Sequence, residues 1–199
     1  TALFVTQGHR DSLEIAYENR FDQYDIMADR TPPLVPRSLR LPVPERVNSA
    51  GEVLMELDEA SVVAHFETLK SQGVTSVSVG LLHAYANSAH EQRIGALVVQ
   101  HFPDMALSLS SDVCPEIREY ERQTTTVANA YVKPIMSDYL ADVENRLKAT
   151  GFTAPCLMMT SGGSLVTIAT ARDLPVRLIE SGPAGGAILA GHLARRLGE

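Results

Sequence analysis

Between residues 58 and 110 the spacing of apolar residues switches repeatedly between a helical and a strand repeat. Apolar residues three and four positions apart predict helices over 58–71 and 88–102, whereas alternation predicts strands over 75–82 and 106–110. Helices that alternate with strands are typical of parallel sheets, because parallel neighbours need a long crossover connection. The sequence therefore predicts an α/β fold with mainly parallel sheets and right-handed crossover helices.

Local signals mark the ends of these elements. Asp58 is a suitable N-cap for the first helix, and Gly73 is a suitable stop. Ser88 followed by Glu91 has the spacing of a capping box, which predicts that the second helix begins there. In that helix Ile94, Leu97, Val98 and His101 are predicted to form the buried stripe.

The segment before residue 58 is rich in proline, with Pro32, Pro33, Pro36, Pro42 and Pro44. Proline cannot continue a helix interior, so this segment is predicted to run extended. Alternating apolar residues at 41 and 43 and again at 53, 55 and 57 predict a hairpin that turns at residues 49–51.

The second half opens with a long helical pattern from about residue 117 to 149, in which Pro134 predicts a kink or a new helix. A second, shorter α/β stretch is predicted after it. Its elements are a buried strand over 155–160, a loop over 161–164, a strand over 176–179 and a final helix.

Two glycine-rich turns each follow one of these predicted strands. Ser161-Gly162-Gly163-Ser164 is the first, and Ser181-Gly182-Pro183-Ala184-Gly185-Gly186 leads into the final helix. Free N–H groups at a helix start attract anions, and ligands of open α/β sheets collect at the carboxyl ends of strands. Both turns are therefore candidates for phosphate binding, with close helix packing and a flexible loop as the alternatives.

A dense run of charge, Glu116-Ile117-Arg118-Glu119-Tyr120-Glu121-Arg122, precedes Gln123 and three threonines. Arg118 with Glu121 and Glu119 with Arg122 have the spacing of helical ion pairs. The run is either the solvated start of a helix or the polar wall of a cleft. In a cleft, Arg118 or Arg122 would hold a carboxylate.

Composition excludes several classes of protein. A net charge of −7 disfavours a nucleic-acid partner, and no apolar run approaches the ~20 residues of a membrane span. Cys114 and Cys156 have no metal-binding spacing and are predicted to be buried thiols in the reducing cytoplasm. The six scattered histidines predict no metal site in this chain.

Four segments, in order, resemble the hydantoinase A/5-oxoprolinase family. They are Thr6 to Ile15, Pro32 to Arg37 with Glu45-Arg46, Ser111 to Tyr131, and Ser161-Gly162-Gly163 with Pro175 to Gly186. His9 stands where phenylalanine is commoner in the family, which leaves the substrate open.

The resemblance implies the two-lobed, actin-like (ribonuclease H-like) ATPase fold. Residues 1–113 would complete an N-terminal hydantoinase/oxoprolinase domain, and 114–199 would begin the main one. It further implies ATP-driven opening of a cyclic amide such as a lactam or hydantoin, with Mg²⁺ at the phosphates. The implied partners are a small cyclic amide and a hydantoinase B-type subunit.

The resemblance also implies roles for individual residues. The expected nucleotide-binding residues are Gly162, Gly163, Ser181 and Gly182, and the expected substrate-binding residues are Arg118, Glu119 and Arg122. The family's two aspartate–glycine–glycine–threonine phosphate loops are not among the 199 residues. The chain is therefore expected to be an internal fragment that is inactive alone and does not bind ATP tightly.

Two other functions are compatible with the same residues. The first is the ATP-using subunit of an acetone- or acetophenone-type carboxylase, which the neighbouring subunit and flanking sequence would distinguish. The second is a non-catalytic scaffold, which nucleotide binding by the intact protein would distinguish from both enzymes.

Overall fold

A computed structural model describes residues 1–17, 24–28 and 31–198. The chain divides into two compact units, Thr1–Tyr131 and Val132–Glu199. The first unit contains strands β1 (Ala2–Thr6), β2 (Arg40–Val43), β3 (Arg46–Val47), β4 (Val53–Met55), β5 (Ser76–Gly80) and β6 (Ala106–Leu109), with helices α1 (Ser12–Ile15), α2 (Glu59–Ser71), α3 (Ala89–His101) and α4 (Ser110–Val113).

Helix α5 (Glu119–Ala149) begins in the first unit and ends in the second. The second unit also contains β7 (Leu157–Met159), β8 (Leu165–Thr167), α6 (Ile168–Asp173) and α7 (Ser181–Leu197). The predicted domain boundary at residues 113/114 concerns domains of a longer polypeptide and stays a prediction.

The first unit is built on a four-stranded sheet in the order β2-β1-β5-β6. All three pairings are parallel, and Val77 of β5 lies opposite Leu107 of β6. The prediction that strands 75–82 and 106–110 share one parallel sheet is confirmed. Parallel strands place all their carboxyl ends at one edge of the sheet, where polar residues then gather.

Aromatic side chains fill the core between this sheet and its helices. Phe66 of α2 lies 4.7 Å from Phe4 of β1 and 5.3 Å from Phe102, between ring centroids. Phe4 and Phe66 are fully buried. Burying one such ring stabilises the fold by roughly 1.5–3 kcal/mol, so this cluster fixes α2 on the sheet.

The hairpin prediction was partly wrong. Leu41 and Val43 belong to β2, which joins the parallel sheet beside β1. The hairpin is formed instead by β3 and β4, and the side chain of Asn48 accepts hydrogen bonds from the backbone N–H groups of Ala50 and Glu52 in its turn. An alternating pattern cannot show which neighbour a short strand pairs with.

The predicted features at the ends of α2 and α3 are only partly confirmed. Asp58 caps α2 as predicted, accepting from the Ser61 N–H at 3.1 Å, and Gly73 follows the helix with φ +72°. Helix α3 begins after Ser88 as predicted, but the capping box does not form, because the Ser88 side chain makes no cap hydrogen bond and Glu91 turns into the interior. His101 was also wrongly placed in the buried stripe and is exposed.

Helix α5 is a single helix that passes through Pro134 without ending there. Val127 and Leu140 are buried, whereas Tyr131 and Ile135 are 52% and 73% exposed.

The second unit differs from the predicted parallel α/β stretch. Strands β7 and β8 pair antiparallel around the turn at residues 161–164, and β7 is only half-buried. The predicted strand over 176–179 is a 3₁₀ helix, Pro175–Leu178. Pro175 has a fixed φ and no N–H, which suits the first position of a helical turn rather than a sheet ladder.

Within the described residues, no helix combines the length and apolar character needed to cross a bilayer. Cys114 and Cys156 are free, and both are half-buried rather than buried.

Candidate functional site

The two glycine-rich turns of the second unit lie side by side. Ser161, at the start of the β7–β8 turn, donates from its backbone N–H and its hydroxyl to the Arg177 carbonyl at 2.7 and 2.8 Å. The same hydroxyl accepts from the Glu180 N–H at 3.2 Å. Ser161 therefore fixes the position of the residues that lead into α7.

Two glycines, Gly163 and Gly185, lie where the β7–β8 hairpin packs against α7. Gly163 has φ +79°, and a Cβ there would lie 2.8 Å from Ile188 Cδ1 of α7. A Cβ on Gly185 would lie 3.0 Å from Met159 Sδ of β7. Both distances are shorter than ordinary contacts, so these two glycines serve close packing.

Gly162 and Gly182 differ from those two residues. Both are exposed, and a Cβ on Gly182 would meet no atom within 4 Å. The N-cap of α7, Glu180, forms no side-chain cap hydrogen bond. An uncapped helix start beside open glycines fits the phosphates of a nucleotide, which bind to free N–H groups at the positive end of a helix.

No cluster of metal-binding side chains accompanies these turns in the described part of the chain. Among residues 1–17, 24–28 and 31–198 no three His, Cys, Asp or Glu side chains are grouped so that they could hold an ion.

The predicted substrate-binding residues lie in the first unit, where the structure gives them different environments. Arg118 precedes α5 with φ +82° and an exposed side chain, and it approaches Glu121 at 3.7 Å, as its spacing predicted. Glu119 is the first residue of α5 and is half-buried.

Arg122 is fully buried and, contrary to the predicted pairing, forms no ion pair with Glu119 in the described structure. Its Nη2 donates to the Leu81 carbonyl at 2.6 Å, and its guanidinium lies 5.5 Å from the Tyr85 ring centroid. Nε and Nη1 have no hydrogen-bond partner among the described residues. Because burying an uncompensated charge costs on the order of several kcal/mol, Arg122 is the strongest anion-binding candidate in this unit.

Two of the segments that resemble the family, Thr6 to Ile15 and Ser111 to Tyr131, contact each other in this unit. Ser12 donates to Gln123, whose amide nitrogen donates to the Gly80 carbonyl at 2.9 Å. The Tyr17 hydroxyl donates to Glu121. That hydrogen bond lowers the pKa of Glu121 and raises the pKa of Tyr17. These contacts hold the start of α5 against the carboxyl edge of the sheet.

Sequence reasoning missed two buried carboxylates at that edge. Glu45 accepts from the Thr6 hydroxyl and from His90 Nδ1 at 2.8 Å. Glu91 accepts from the Leu81 N–H at 2.9 Å, the Ser110 hydroxyl at 2.6 Å and the Ser111 N–H at 2.8 Å. Desolvation by burial raises the pKa of Glu91. The spacing of these residues gives no signal, because their partners lie far away along the chain.

Two family profiles cover most of the sequence. The profile described as "Hydantoinase/oxoprolinase N-terminal region" matches residues 1–102, and that described as "Hydantoinase/oxoprolinase" matches residues 122–199. The chain belongs to the hydantoinase/oxoprolinase family. The predicted resemblance is thereby confirmed.

Individual members of this family resemble the chain closely. The caprolactamase subunit alpha of Pseudomonas jessenii is 36% identical over 92% of the chain. The crystal structure of the ATP-dependent caprolactamase from Pseudomonas jessenii matches 99% of the chain with a TM-score of 0.89 and 35% identity. Acetone carboxylase, in a nucleotide-free structure, matches 99% with a TM-score of 0.85 and 27% identity.

The chain spans less than a third of the length of these relatives: 26% of the caprolactamase subunit and 29% of each structure. The structural matches confirm the predicted actin-like α/β fold. Within that fold, the candidate nucleotide-binding residues lie in the second unit and the candidate substrate-binding residues in the first.

Proposed function

We propose that the full-length protein is an ATP-dependent hydrolase that opens a cyclic amide, and that this chain supplies part of its nucleotide and substrate sites. The observation that carries the proposal is the match to the ATP-dependent caprolactamase, at a TM-score of 0.89 and 35% identity. An uncapped helix start beside two open glycines supports it, since those backbone groups suit phosphate.

The nucleotide phosphates are assigned to the open face of the second unit. Its residues are Gly162, Gly163, Ser181 and Gly182, with Gly163 shaping the turn. When bound, ATP would supply the phosphoryl group that turns the amide oxygen into a leaving group. Magnesium ligands would come from elsewhere in the full-length protein.

The substrate is assigned to the first unit, beside Arg118, Glu119 and Arg122. Nε and Nη1 of Arg122 have no hydrogen-bond partner among the described residues, and a carbonyl or carboxylate oxygen would accept from them. Arg118 and Glu119 are the more accessible members and would form the polar rim. A cytoplasmic location and a hydantoinase B-type partner subunit are part of the same proposal.

The test uses the full-length protein with its partner subunit, ATP and magnesium. Caprolactam, 5-oxoproline and hydantoin are supplied one at a time, and ADP and ring-opened product are measured together. We expect one of these amides to stimulate ADP release in step with ring opening. ADP release that no cyclic amide stimulates would overturn the proposal, and the 199-residue chain alone is expected to turn over no ATP.

Carboxylation is the second candidate, favoured by the TM-score of 0.85 to acetone carboxylase. The same assay with acetone or acetophenone and bicarbonate separates the two enzymes. ADP release that requires both a ketone and bicarbonate would identify a carboxylase, and an intact protein that binds no nucleotide would identify a scaffold.

A further inference from the structure

A histidine in the first unit is held through one ring nitrogen by a buried carboxylate. His90 is the second residue of α3, and its side chain is 8% exposed. Its Nδ1 lies 2.8 Å from Oε2 of Glu45, whose side chain is fully buried. Nε2 has no hydrogen-bond partner in the described part of the chain.

The hydrogen bonds of Glu45 define which ring nitrogen carries the proton. The Leu82 N–H donates to the Thr6 hydroxyl at 2.8 Å, so that hydroxyl directs its own hydrogen to Oε1 of Glu45. When Glu45 is ionised, both of its oxygens are acceptors, so Nδ1 is the donor to Oε2. In a neutral ring, Nε2 then carries the lone pair.

The place of this group in the fold favours a role in chemistry. Thr6 ends β1, and Glu45 lies two residues after β2, so both belong to the carboxyl edge of the parallel sheet, where α/β proteins bind their ligands. Nε2 lies 3.9 Å from a carboxylate oxygen of Glu56, whose side chain is 91% exposed. Nε2 itself is buried, so a ligand would reach it only after the side chains that cover it move, Glu56 among them.

Resting on the proposed function, we propose that His90 Nε2 is the proton-transfer atom of ring opening and that Glu45 is its positioning residue. A carboxylate that fixes the ring orientation and stabilises the imidazolium is the arrangement that enzymes use for a general base. A buried polar atom without a hydrogen bond lowers stability, so an unpartnered Nε2 fits a group that acts on a ligand.

The proton passes through His90 as water adds to the oxygen-phosphorylated amide. The water oxygen bonds to carbon, the π electron pair of the C=N bond moves to nitrogen, and the proton of the broken O–H bond passes to Nε2. The imidazolium returns this proton to the nitrogen. The C–N bond then breaks with its electron pair on nitrogen, and the second water hydrogen follows as the C=O bond forms. This leaves an acyl phosphate, and a second water molecule attacks its carbonyl carbon, so that the C–O bond to phosphate breaks and inorganic phosphate and the carboxylic acid are released.

The decisive variant is His90→Asn in the full-length protein. The asparagine amide nitrogen replaces Nδ1 as the donor to Glu45, but asparagine has no base at Nε2. In a single turnover we expect ring opening to slow by about 100-fold, the lower end of general-base effects, with the amount of bound ATP unchanged. The matched control is His83→Asn, because His83 also bonds through Nδ1, to the Val47 carbonyl at 2.8 Å, and its φ of +56° suits asparagine.

Glu45→Gln tests the positioning role. We expect it to lower kcat with KM unchanged, and the double variant with His90→Asn to be no slower than His90→Asn alone. Additive losses in kcat, or ring opening by His90→Asn within about twofold of His83→Asn, would overturn the proposal.

If the proposed function is wrong, the wild-type protein opens no cyclic amide at all. That outcome differs from failure of the His90 proposal, in which wild type opens the ring and His90→Asn does so almost as fast.

A nitrogen-15 NMR measurement on histidine-labelled full-length protein needs no substrate. We expect His90 to carry its proton on Nδ1 with Nε2 bare at high pH. A proton on Nε2 instead would overturn the inference, whatever the enzyme's reaction.

Discussion

Asp11 and Arg37 form a bidentate ion pair, with Nε 2.8 Å from Oδ1 and Nη2 3.0 Å from Oδ2. The pair joins two of the sequence segments by which the family is recognised, 26 residues apart along the chain. Arg10 adds a hydrogen bond to the Arg37 carbonyl at 2.6 Å, and Glu14 pairs with the buried Arg40 at 2.7 Å. These contacts therefore hold the segments Thr6 to Ile15 and Pro32 to Arg37 together.

Removing the charge of Asp11 should loosen the segment that contains Arg37. Arg37 lowers the pKa of Asp11, so the pair stabilises the fold above the ordinary aspartate pKa and its contribution is lost as pH falls through the lowered value. We expect Asp11→Asn to speed hydrogen exchange over residues 35–39 at neutral pH, and the difference from wild type to vanish in acid.

The matched control for that change is Asp104→Asn, at an exposed position in a turn. It should leave exchange over residues 35–39 unchanged. Equal exchange rates in wild type and Asp11→Asn at neutral pH would show that the ion pair does not order this segment.

Gly80, at the carboxyl end of β5, leaves room for Gln123. A Cβ at Gly80 would lie 2.6 Å from Cγ of Gln123, whose amide bonds the Gly80 carbonyl. We expect Gly80→Ala to lower the free energy of unfolding by about 1–3 kcal/mol, the usual cost of overpacking. Denaturant unfolding of the variant and wild type measures this difference. The matched control is Gly95→Ala, where the added Cβ would lie 3.4 Å from the nearest atom, and its free energy of unfolding should be unchanged or higher.

Glu91 should make stability depend on pH. Burial raises its pKa, so its favourable contribution is complete below the ordinary glutamate pKa and is lost as pH rises through the raised value. We expect the free energy of unfolding of wild type, measured relative to Glu91→Gln, to fall over that pH range. A difference between the two proteins that stays constant with pH would show that Glu91 does not titrate in this way.

The parallel sheet could be predicted from sequence because its helices and strands have clear repeats and ends, such as Asp58 and Gly73. The second unit could not, because Val176 to Ile179 has the same apolar pattern in a strand or a 3₁₀ helix. Glycine marked the turn at residues 161–164 and the helix start at Ser181, although not the antiparallel hairpin. The Thr6–Glu45–His90 cluster was beyond prediction, since its members are 39 and 45 residues apart.

The most direct test of the nucleotide site is turnover per folded molecule of Gly182→Val in the full-length protein. The space around Gly182 is open, so valine should leave the thermal midpoint unchanged while its side chain obstructs the phosphates. We predict that ATP-dependent turnover falls at least ~10-fold, equivalent to ~1.4 kcal/mol of transition-state stabilisation. Gly191→Val, farther along the same helix with equally open space, should turn over normally. Normal turnover by Gly182→Val, or a loss of folding without a loss of turnover per folded molecule, would contradict a nucleotide site at the start of α7.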